Sequence, residues 1–340
     1  MTTTVVAKYE PDVKFIFDDA TRRRPLAVRW PRRVRLSTMV DSTVLYERMM
    51  RRVAVLRGAR SHRVSYDHGQ VHVLDLPGRG YLPPVVLLHG FSASGPTQYL
   101  PMVRRLRPHV RRVLLPDLPG HGSSTVPPQL DEAIIQAGLT AAMNELLRRP
   151  AVIFASSLAG GFAVRFAHRR PHLVRGLMLC SPGGAPLDEA QLDELFDTFA
   201  VRTHQQALAF VDRLFPRPHP LRHAYAWGVR QQFSRPHLRT LLEHARHARF
   251  LEPEEIRGLR MPVHLIWGRA DRILPREHFE FFRTHLPPHA EVETPPGYGH
   301  APFLHRAGDL TERLLHFIRK VAAAPLGSSR GTSTPSVNTY

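Results

Sequence analysis

Cysteine and lysine are scarce in this chain of 340 residues: lysine occurs only at Lys8, Lys14 and Lys320, and Cys180 is the single cysteine. One cysteine excludes an intramolecular disulfide and any metal site built from several cysteines. No apolar stretch approaches the ~20 residues that a membrane-spanning helix needs. The N-terminus also lacks the basic and then apolar order of a signal peptide. We therefore expect a cytoplasmic protein, with any membrane contact peripheral.

Acidic residues are also few, and the formal net charge is +18, carried almost entirely by arginine. Such an excess attracts nucleic acid or anionic lipid. The arginines are concentrated in residues 22–35 and dispersed elsewhere. No nucleic-acid-binding motif accompanies them, so specific nucleic-acid binding is not expected. We instead expect residues 22–35 to associate weakly with an anionic membrane surface. The sequence does not predict the oligomeric state.

The order of patterns along the chain predicts its organisation. A helix capped by Asp41 is expected over residues 41–57, and a hairpin over residues 63–74. Short apolar runs then alternate with helical patterns, which predicts an α/β fold with a mostly parallel central sheet covered by helices. Between residues 182 and 262 the alternation stops and only helical patterns remain. That stretch is typical of an inserted all-helical cap.

These patterns predict the positions of the strands and cap helices and the division of the chain into parts. Strands are expected at 85–88, 113–115, 152–154, 177–180 and 263–267, with an edge strand near Val292. Cap helices are expected at 187–199, 204–215, 221–233 and 236–250. The predicted divisions are an N-terminal extension (1–60), a core (61–184 and 258–324), a helical cap (185–257) and a disordered tail (325–340).

The most informative segment surrounds Ser157, which follows an apolar run and precedes a helical pattern. A sharp turn from strand to helix needs small residues two positions before and after its tip, because strand and helix nearly touch there. Ser157 has Ala155 and Ala159 at those positions, whereas Ser156 would have bulky Phe154 and Leu158. Ser157 is therefore the predicted nucleophile. Small residues at the start of a buried helix also occur for packing alone, so the segment needs support from elsewhere.

Two further residues have the chemistry that a serine nucleophile requires. A histidine must take the hydroxyl proton and a carboxylate must orient that histidine. Asp271 follows the predicted strand 263–267, and His300 lies after the last strand and before the last helix. The backbone amides of Phe91 and Leu158 are the predicted oxyanion donors, since each follows a strand directly or lies at a helix N-terminus. His89 is expected to be structural, and Asp117 to brace its own loop.

Taken together, these segments resemble the α/β-hydrolase family, serine hydrolase branch, over about residues 60–322. The resemblance rests on the loops at His89, Asp117, Ser157, Asp271 and His300, whose order of serine, aspartate and histidine is that of the family. The chain departs from the family pattern in having alanines where glycines flank the nucleophile. The resemblance implies a serine hydrolase, esterase or lipase-like, which cleaves a carboxylic ester through an acyl-enzyme intermediate. No cofactor is implied.

Several alternatives stay open on the sequence alone. One is a carbon–carbon or thioester hydrolase with the same three residues, and another is a non-catalytic basic protein that binds membrane or nucleic acid. No metal is expected, because His244 and His247 share a helix face without a carboxylate at metal spacing. A small apolar acyl substrate is expected between the sheet edge and the cap. Its candidate wall residues are Phe199, Phe215, Trp227 and Phe233.

Overall fold

The computed structural model describes residues 41–324, so residues 22–35 and the predicted tail at 325–340 lie outside the described residues. An eight-stranded sheet forms the centre, with the strand order β1-β2-β4-β3-β5-β6-β7-β8. The first two pairings, β1 with β2 and β2 with β4, are antiparallel, and the others are parallel. The strands are β1 (Arg60–Tyr66), β2 (Gly69–Pro77), β3 (Val85–Leu88), β4 (Arg112–Pro116), β5 (Ala151–Ser157), β6 (Val174–Pro182), β7 (Val263–Ile266) and β8 (Glu291–Glu293).

Helices cover both faces of the sheet, because its central strands are apolar on both sides. In β3 all four residues are buried. Helices α2 and α12 pack on one face, and α3 and α4 pack on the other. The α-helices are α1 (Ser42–Leu56), α2 (Gly95–Leu106), α3 (Glu132–Leu146), α4 (Leu158–Arg169), α5 (Glu189–Phe199), α6 (His204–Leu214), α7 (Arg222–Phe233), α8 (Pro236–Ala245), α9 (Pro253–Arg257), α10 (Arg276–His285), α11 (Pro302–His305) and α12 (Ala307–Ala323).

The segment between β6 and β7 contains α5 to α9 and has no strand, in agreement with the helical pattern of this stretch. Its core is aromatic: Phe199 stacks on Phe233, and Phe210 meets both rings edge to face. Phe91 of the core domain touches Phe199 and Phe233 as well. These aromatic contacts hold the cap over the loop that follows β3, since offset and edge-to-face pairs add attraction to the burial of area.

One predicted cap helix is too long. The pattern over residues 236–250 predicts a single helix, whereas α8 ends at Ala245. After this point the chain returns to the core, and the guanidinium group of Arg165 donates hydrogen bonds to the carbonyls of Arg249 and Phe250. Leu251 then pairs with the backbone carbonyl of Gly184 at 2.8 Å. The carbonyls of Arg249 and Phe250 thus find hydrogen-bond donors without forming a helix. The local sequence pattern could not predict these long-range contacts.

Helix α1 connects the core to the cap. Asp41 caps it, as predicted, by accepting a hydrogen bond from the Thr43 amide at 3.0 Å. The same carboxylate pairs with Arg235, which follows α7, at 3.0 Å. Further along the helix, the guanidinium of Arg51 contacts the buried carboxylate of Asp117 at 2.8 Å. Breaking a buried ion pair is strongly destabilising, because one charge is left uncompensated. Helix α1 is thus attached at its N-terminal cap and again in its second half.

Within residues 41–324, none of the helices combines the length and the apolar character needed to cross a membrane.

Candidate active site

The turn at Ser157 joins β5 directly to α4. Ser157 has φ 51° and ψ −128°, a conformation that an L-residue rarely adopts. The flanking Ala155 and Ala159 are completely buried. The backbone of Gly90 passes so close that a Cβ atom there would lie 3.2 Å from the Ser157 Cβ atom. The strained turn therefore aims the Ser157 side chain at the loop after β3, in the geometry that a nucleophile requires.

Ser157, His300 and Asp271 come together from three separate loops. The Ser157 Oγ atom lies 3.0 Å from His300 Nε2, so the hydroxyl donates to that nitrogen. On the other side of the ring, His300 Nδ1 donates to Asp271 Oδ2 at 2.8 Å. The residues are 143 and 29 positions apart in the sequence, respectively. This chain of hydrogen bonds has the order that acyl transfer by serine needs.

Asp271 is almost fully buried, and its surroundings keep it ionised. Burial alone would raise the pKa of its carboxyl, but the charge and hydrogen bond of His300, helped by the Ile273 amide, lower that pKa below its usual value. The amides of Ile273 and Leu274 donate to its Oδ1 atom at 2.9 and 3.2 Å. A fixed carboxylate at this position holds the His300 ring with its proton on Nδ1.

Ser156 faces away from His300 and belongs to the supporting structure. It is 1% exposed, and its hydroxyl contacts the Tyr99 hydroxyl at 2.8 Å. Gln98 donates to the same oxygen at 2.9 Å and accepts from the Gly90 amide at 3.2 Å. Gln98 thereby connects the strand before Ser157 to the loop that passes beside it. The sequence offered no motif for this positioning role.

The loop after β3 passes beside Ser157 at Gly90 and continues to Phe91, and Leu158 is the first residue of α4. Amides at these two positions can stabilise a developing oxyanion. His89 fixes the loop from behind: its Nδ1 donates to the Gly90 carbonyl at 2.8 Å, and its Nε2 accepts from the Leu118 amide at 3.0 Å. This is the structural role that the sequence predicts for His89.

Asp117 braces its own loop, as expected, since its carboxylate accepts from the amides of Gly95 and Ser123. It also binds two side chains that the sequence did not associate with it, Arg51 and His72. Burial raises the pKa of the Asp117 carboxyl, but the hydrogen bond from His72 and the charge of Arg51 hold it well below its usual range. The loop after β4 is therefore anchored to α1 through a buried charge.

A cleft of about 1320 Å³ opens at Ser157 and His300. This volume exceeds the 300–1,000 Å³ of an ordinary ligand pocket. Of the predicted wall residues, Phe199 and Trp227 line the cleft, whereas Phe215 and Phe233 do not. Phe215 packs against Tyr225 and His305, and Phe233 belongs to the aromatic core of the cap. The spacing of aromatic residues could not separate those that line the cleft from those that pack inside the cap, because both faces of a cap helix carry aromatic residues.

Helix α1 supplies a wall of this cleft, which the sequence did not indicate. The cleft extends from Ser157 along the groove between α1 and α2, where Met50, Val53 and Val103 line it. At its far end it is lined by arginines from the ends of α1 and α2 and from the loop after β2. They are Arg57, Arg79, Arg104, Arg105 and Arg107. The spacing of apolar residues in a helix predicts that one face is buried, but it does not predict which element packs against that face.

Comparison with known proteins gives the family. Residues 83–307 match the family model for the alpha/beta hydrolase fold. The chain is similar to the pimeloyl-[acyl-carrier protein] methyl ester esterase of Xanthomonas oryzae pv. oryzae (strain MAFF 311018), with 32% identity over 262 residues that cover 73% of this chain and 99% of the relative. The chain belongs to the α/β-hydrolase family. It is an enzyme, a carboxylic ester hydrolase, and the carbon–carbon and thioester alternatives are not favoured.

Solved structures agree in fold. A bacterial membrane phospholipase A superposes with a TM-score of 0.69 at 24% identity, covering 84% of this chain and 93% of that one. An esterase from Thermogutta terrifontis has a TM-score of 0.63 at 22% identity, covering 78% of this chain and 100% of that one. At these identities the similarity establishes the α/β-hydrolase fold.

Proposed function

We propose that the enzyme cleaves its ester through an acyl-enzyme intermediate formed on Ser157. The observation that carries this proposal is the continuous hydrogen-bonded chain from Ser157 through His300 to Asp271. The Ser157 oxygen attacks the acyl carbon while His300 Nε2 takes its proton, and Asp271 stabilises the imidazolium that forms. The amides of Phe91 and Leu158 stabilise the oxyanion. His300 then protonates the leaving alcohol and activates water for deacylation.

A covalent probe tests the proposed intermediate. A fluorophosphonate reacts with an activated serine, and we expect a single adduct per chain, located on Ser157 by mass spectrometry of peptides. Acid unfolding before labelling is the control, since it separates His300 from Ser157 and removes the activation. An adduct on Ser156, or equal labelling of the unfolded chain, would contradict the proposal.

We further propose that the substrate is a long acyl methyl ester presented by an anionic carrier. The named relatives act on pimeloyl-[acyl-carrier protein] methyl ester. Two features of this chain support such a substrate: an apolar groove leads away from Ser157, and it ends at five arginines. The acyl chain would occupy the groove, with its methyl ester at Ser157 and its carrier at the arginines. Opposite charge accelerates the association of such partners.

Charge reversal at the far end of the cleft tests this substrate. We expect Arg57→Glu combined with Arg104→Glu to lower kcat/KM for a carrier-linked pimeloyl methyl ester by roughly 10-fold at low salt, because steering is lost. Free dimethyl pimelate should be hydrolysed at the wild-type rate. Both arginines are exposed, and within residues 41–324 neither guanidinium forms an ion pair.

Arg169→Glu is the matched control, since Arg169 is an exposed arginine on α4 that does not line the cleft. The control should keep wild-type kcat/KM for both substrates. Equal loss on the carrier-linked and the free ester, or no loss on either, would refute the carrier proposal.

A further inference from the structure

A buried carboxyl group in the wall of the cleft has an oxygen that lacks a hydrogen bond among residues 41–324. Glu47 of α1 is 5% exposed, and its Oε1 atom makes no hydrogen bond within residues 41–324. The Oε1 atom of Gln232, on α7, is also buried and unbonded among the described residues. Both side chains line the cleft. A buried polar atom without a hydrogen bond is unfavourable, because it has lost its contact with water and gained no partner. Two such oxygens in the wall of one cleft indicate a ligand that bonds to them.

The arginines near Glu47 form ion pairs with other carboxylates, although the Nε atom of Arg51 makes no hydrogen bond among the described residues. Arg235 pairs with Asp41 at 3.0 Å, and Arg51 pairs with Asp117 at 2.8 Å. Neither forms an ion pair with Glu47. The carboxyl is therefore not part of the attachment of α1, although it lies one turn of helix from residues that are. It is the only acidic group among the described residues that line the cleft.

The surrounding charges restrict the ligand that would fit. The Gln232 Oε1 atom is an acceptor, and so is the Glu47 Oε1 atom when the carboxyl is ionised, so a ligand that donates hydrogen bonds fits both. A cation is disfavoured because Arg51 and Arg235 lie close by. Burial raises the pKa of Glu47 to about 7, an effect that Arg235 and Arg51 oppose and that Asp117 and Asp41 reinforce. Near neutral pH the carboxyl is partly uncharged, which also suits a neutral partner.

We propose that Glu47 and Gln232 form a polar subsite in the wall of the acyl cleft, which binds a neutral hydrogen-bond donor of the substrate, a hydroxyl or an amide N–H. The subsite rests on the proposed function, because the donor belongs to the ester that Ser157 attacks. Glu47 precedes residues 83–307, the part of the chain that the family model matches. The subsite would select among esters of the same chain length.

A panel of nitrophenyl esters tests the subsite with the full chain. The panel contains decanoate, decanoates with one hydroxyl placed in turn at each carbon from C3 to C10, and chains of equal length with one internal amide. We expect at least one donor-bearing ester to exceed decanoate in kcat/KM by about 10-fold. Comparison of the hydroxyl-bearing esters with the amide-bearing esters shows which of the two donors the subsite binds.

Glu47→Leu should abolish that preference by raising KM for the preferred donor-bearing ester, because the subsite lies away from the reacting atoms. Glu47→Gln retains an acceptor and should keep part of the preference. Met50→Leu, which changes an apolar residue of α1 that lines the same cleft, is the control and should affect all esters equally. Thermal unfolding of each variant verifies that it is folded.

The outcomes separate the subsite from the mechanism. Equal kcat/KM for decanoate and every donor-bearing ester in the wild type would overturn the subsite, as would a Glu47→Leu change that is the same for all esters. Turnover of decanoate by Ser157→Ala would overturn the proposed mechanism instead. In that case the effect of Glu47→Leu on the preference would still decide the subsite.

Discussion

Replacing Ser157 with alanine is expected to lower kcat for ester hydrolysis by roughly 10⁴- to 10⁶-fold, with KM little changed. The reason is that the Ser157 oxygen forms the covalent intermediate, and no neighbouring group can take its place. The adjacent Ser156 hydroxyl points into the core, where Tyr99 and Gln98 bind it. His300 and the oxyanion amides remain in the variant, so the residual rate over water measures their contribution alone. Steady-state hydrolysis of a nitrophenyl ester is a sufficient measurement.

Ser156→Ala is the matched control for this experiment. It removes a hydroxyl from the neighbouring position but leaves the contact between Ser157 and His300 intact. We expect a loss of about 1 kcal/mol in the free energy of unfolding, because a buried hydrogen-bond network is broken. The activity should fall by less than tenfold. A large loss of activity in Ser156→Ala, with activity retained in Ser157→Ala, would show that Ser156 and not Ser157 is the nucleophile.

The second large effect is expected from Asp271→Asn, which should lower kcat by roughly 10⁴-fold. Asparagine is nearly isosteric, so the backbone amides of Ile273 and Leu274 keep an acceptor. Its NH₂ group, however, would face His300 Nδ1 and favour a ring that carries its proton on Nε2. Such a ring cannot accept the proton of Ser157. The effect is therefore on proton transfer rather than on the fold.

The pH dependence follows from the lowered pKa of Asp271. The carboxylate of the wild type stays ionised as the pH falls past ~4, where a free aspartate takes up its proton. Its contribution to kcat should therefore persist at pH values below that point and be lost only as the pH falls through the lowered pKa. Asp193→Asn, an exposed residue on the surface of α5, provides the control and should retain wild-type kcat throughout. A wild-type kcat in Asp271→Asn would show that Asp271 has no role in the mechanism.

The sheet and the site loops could be predicted because their signals are local. A buried parallel strand is an unbroken apolar run, and the next loop begins where the polar and small residues start. Ser157 and Asp271 each follow such a run, so their order along the chain predicts that they meet at one edge of the sheet. The bulk of Phe154 and Leu158 excludes Ser156 without any knowledge of the fold.

The cleft could not be predicted in the same way, because its walls depend on distant contacts. Helix α1 has a recognisable cap at Asp41, yet nothing in its sequence shows that Arg51 will meet Asp117 or that Glu47 will line the cleft. The same limit applied to Phe215 and Phe233, which the sequence interpretation placed on the cleft and the structure buries in the cap. Burial can be predicted from hydrophobicity, but the neighbour that causes it cannot.

The attachment of α1 has a consequence for the order in which the enzyme is assembled during synthesis. Asp117 is 66 residues further along the chain than Arg51, and Arg235 is 194 residues further than Asp41. A nascent chain emerges from its N-terminus, at about 5–20 residues per second. Helix α1 therefore leaves the ribosome well before either of its partners exists. The contact of α1 with Asp117 can form before the cap is made, whereas its contact with Arg235 can form only when most of the cap has been made.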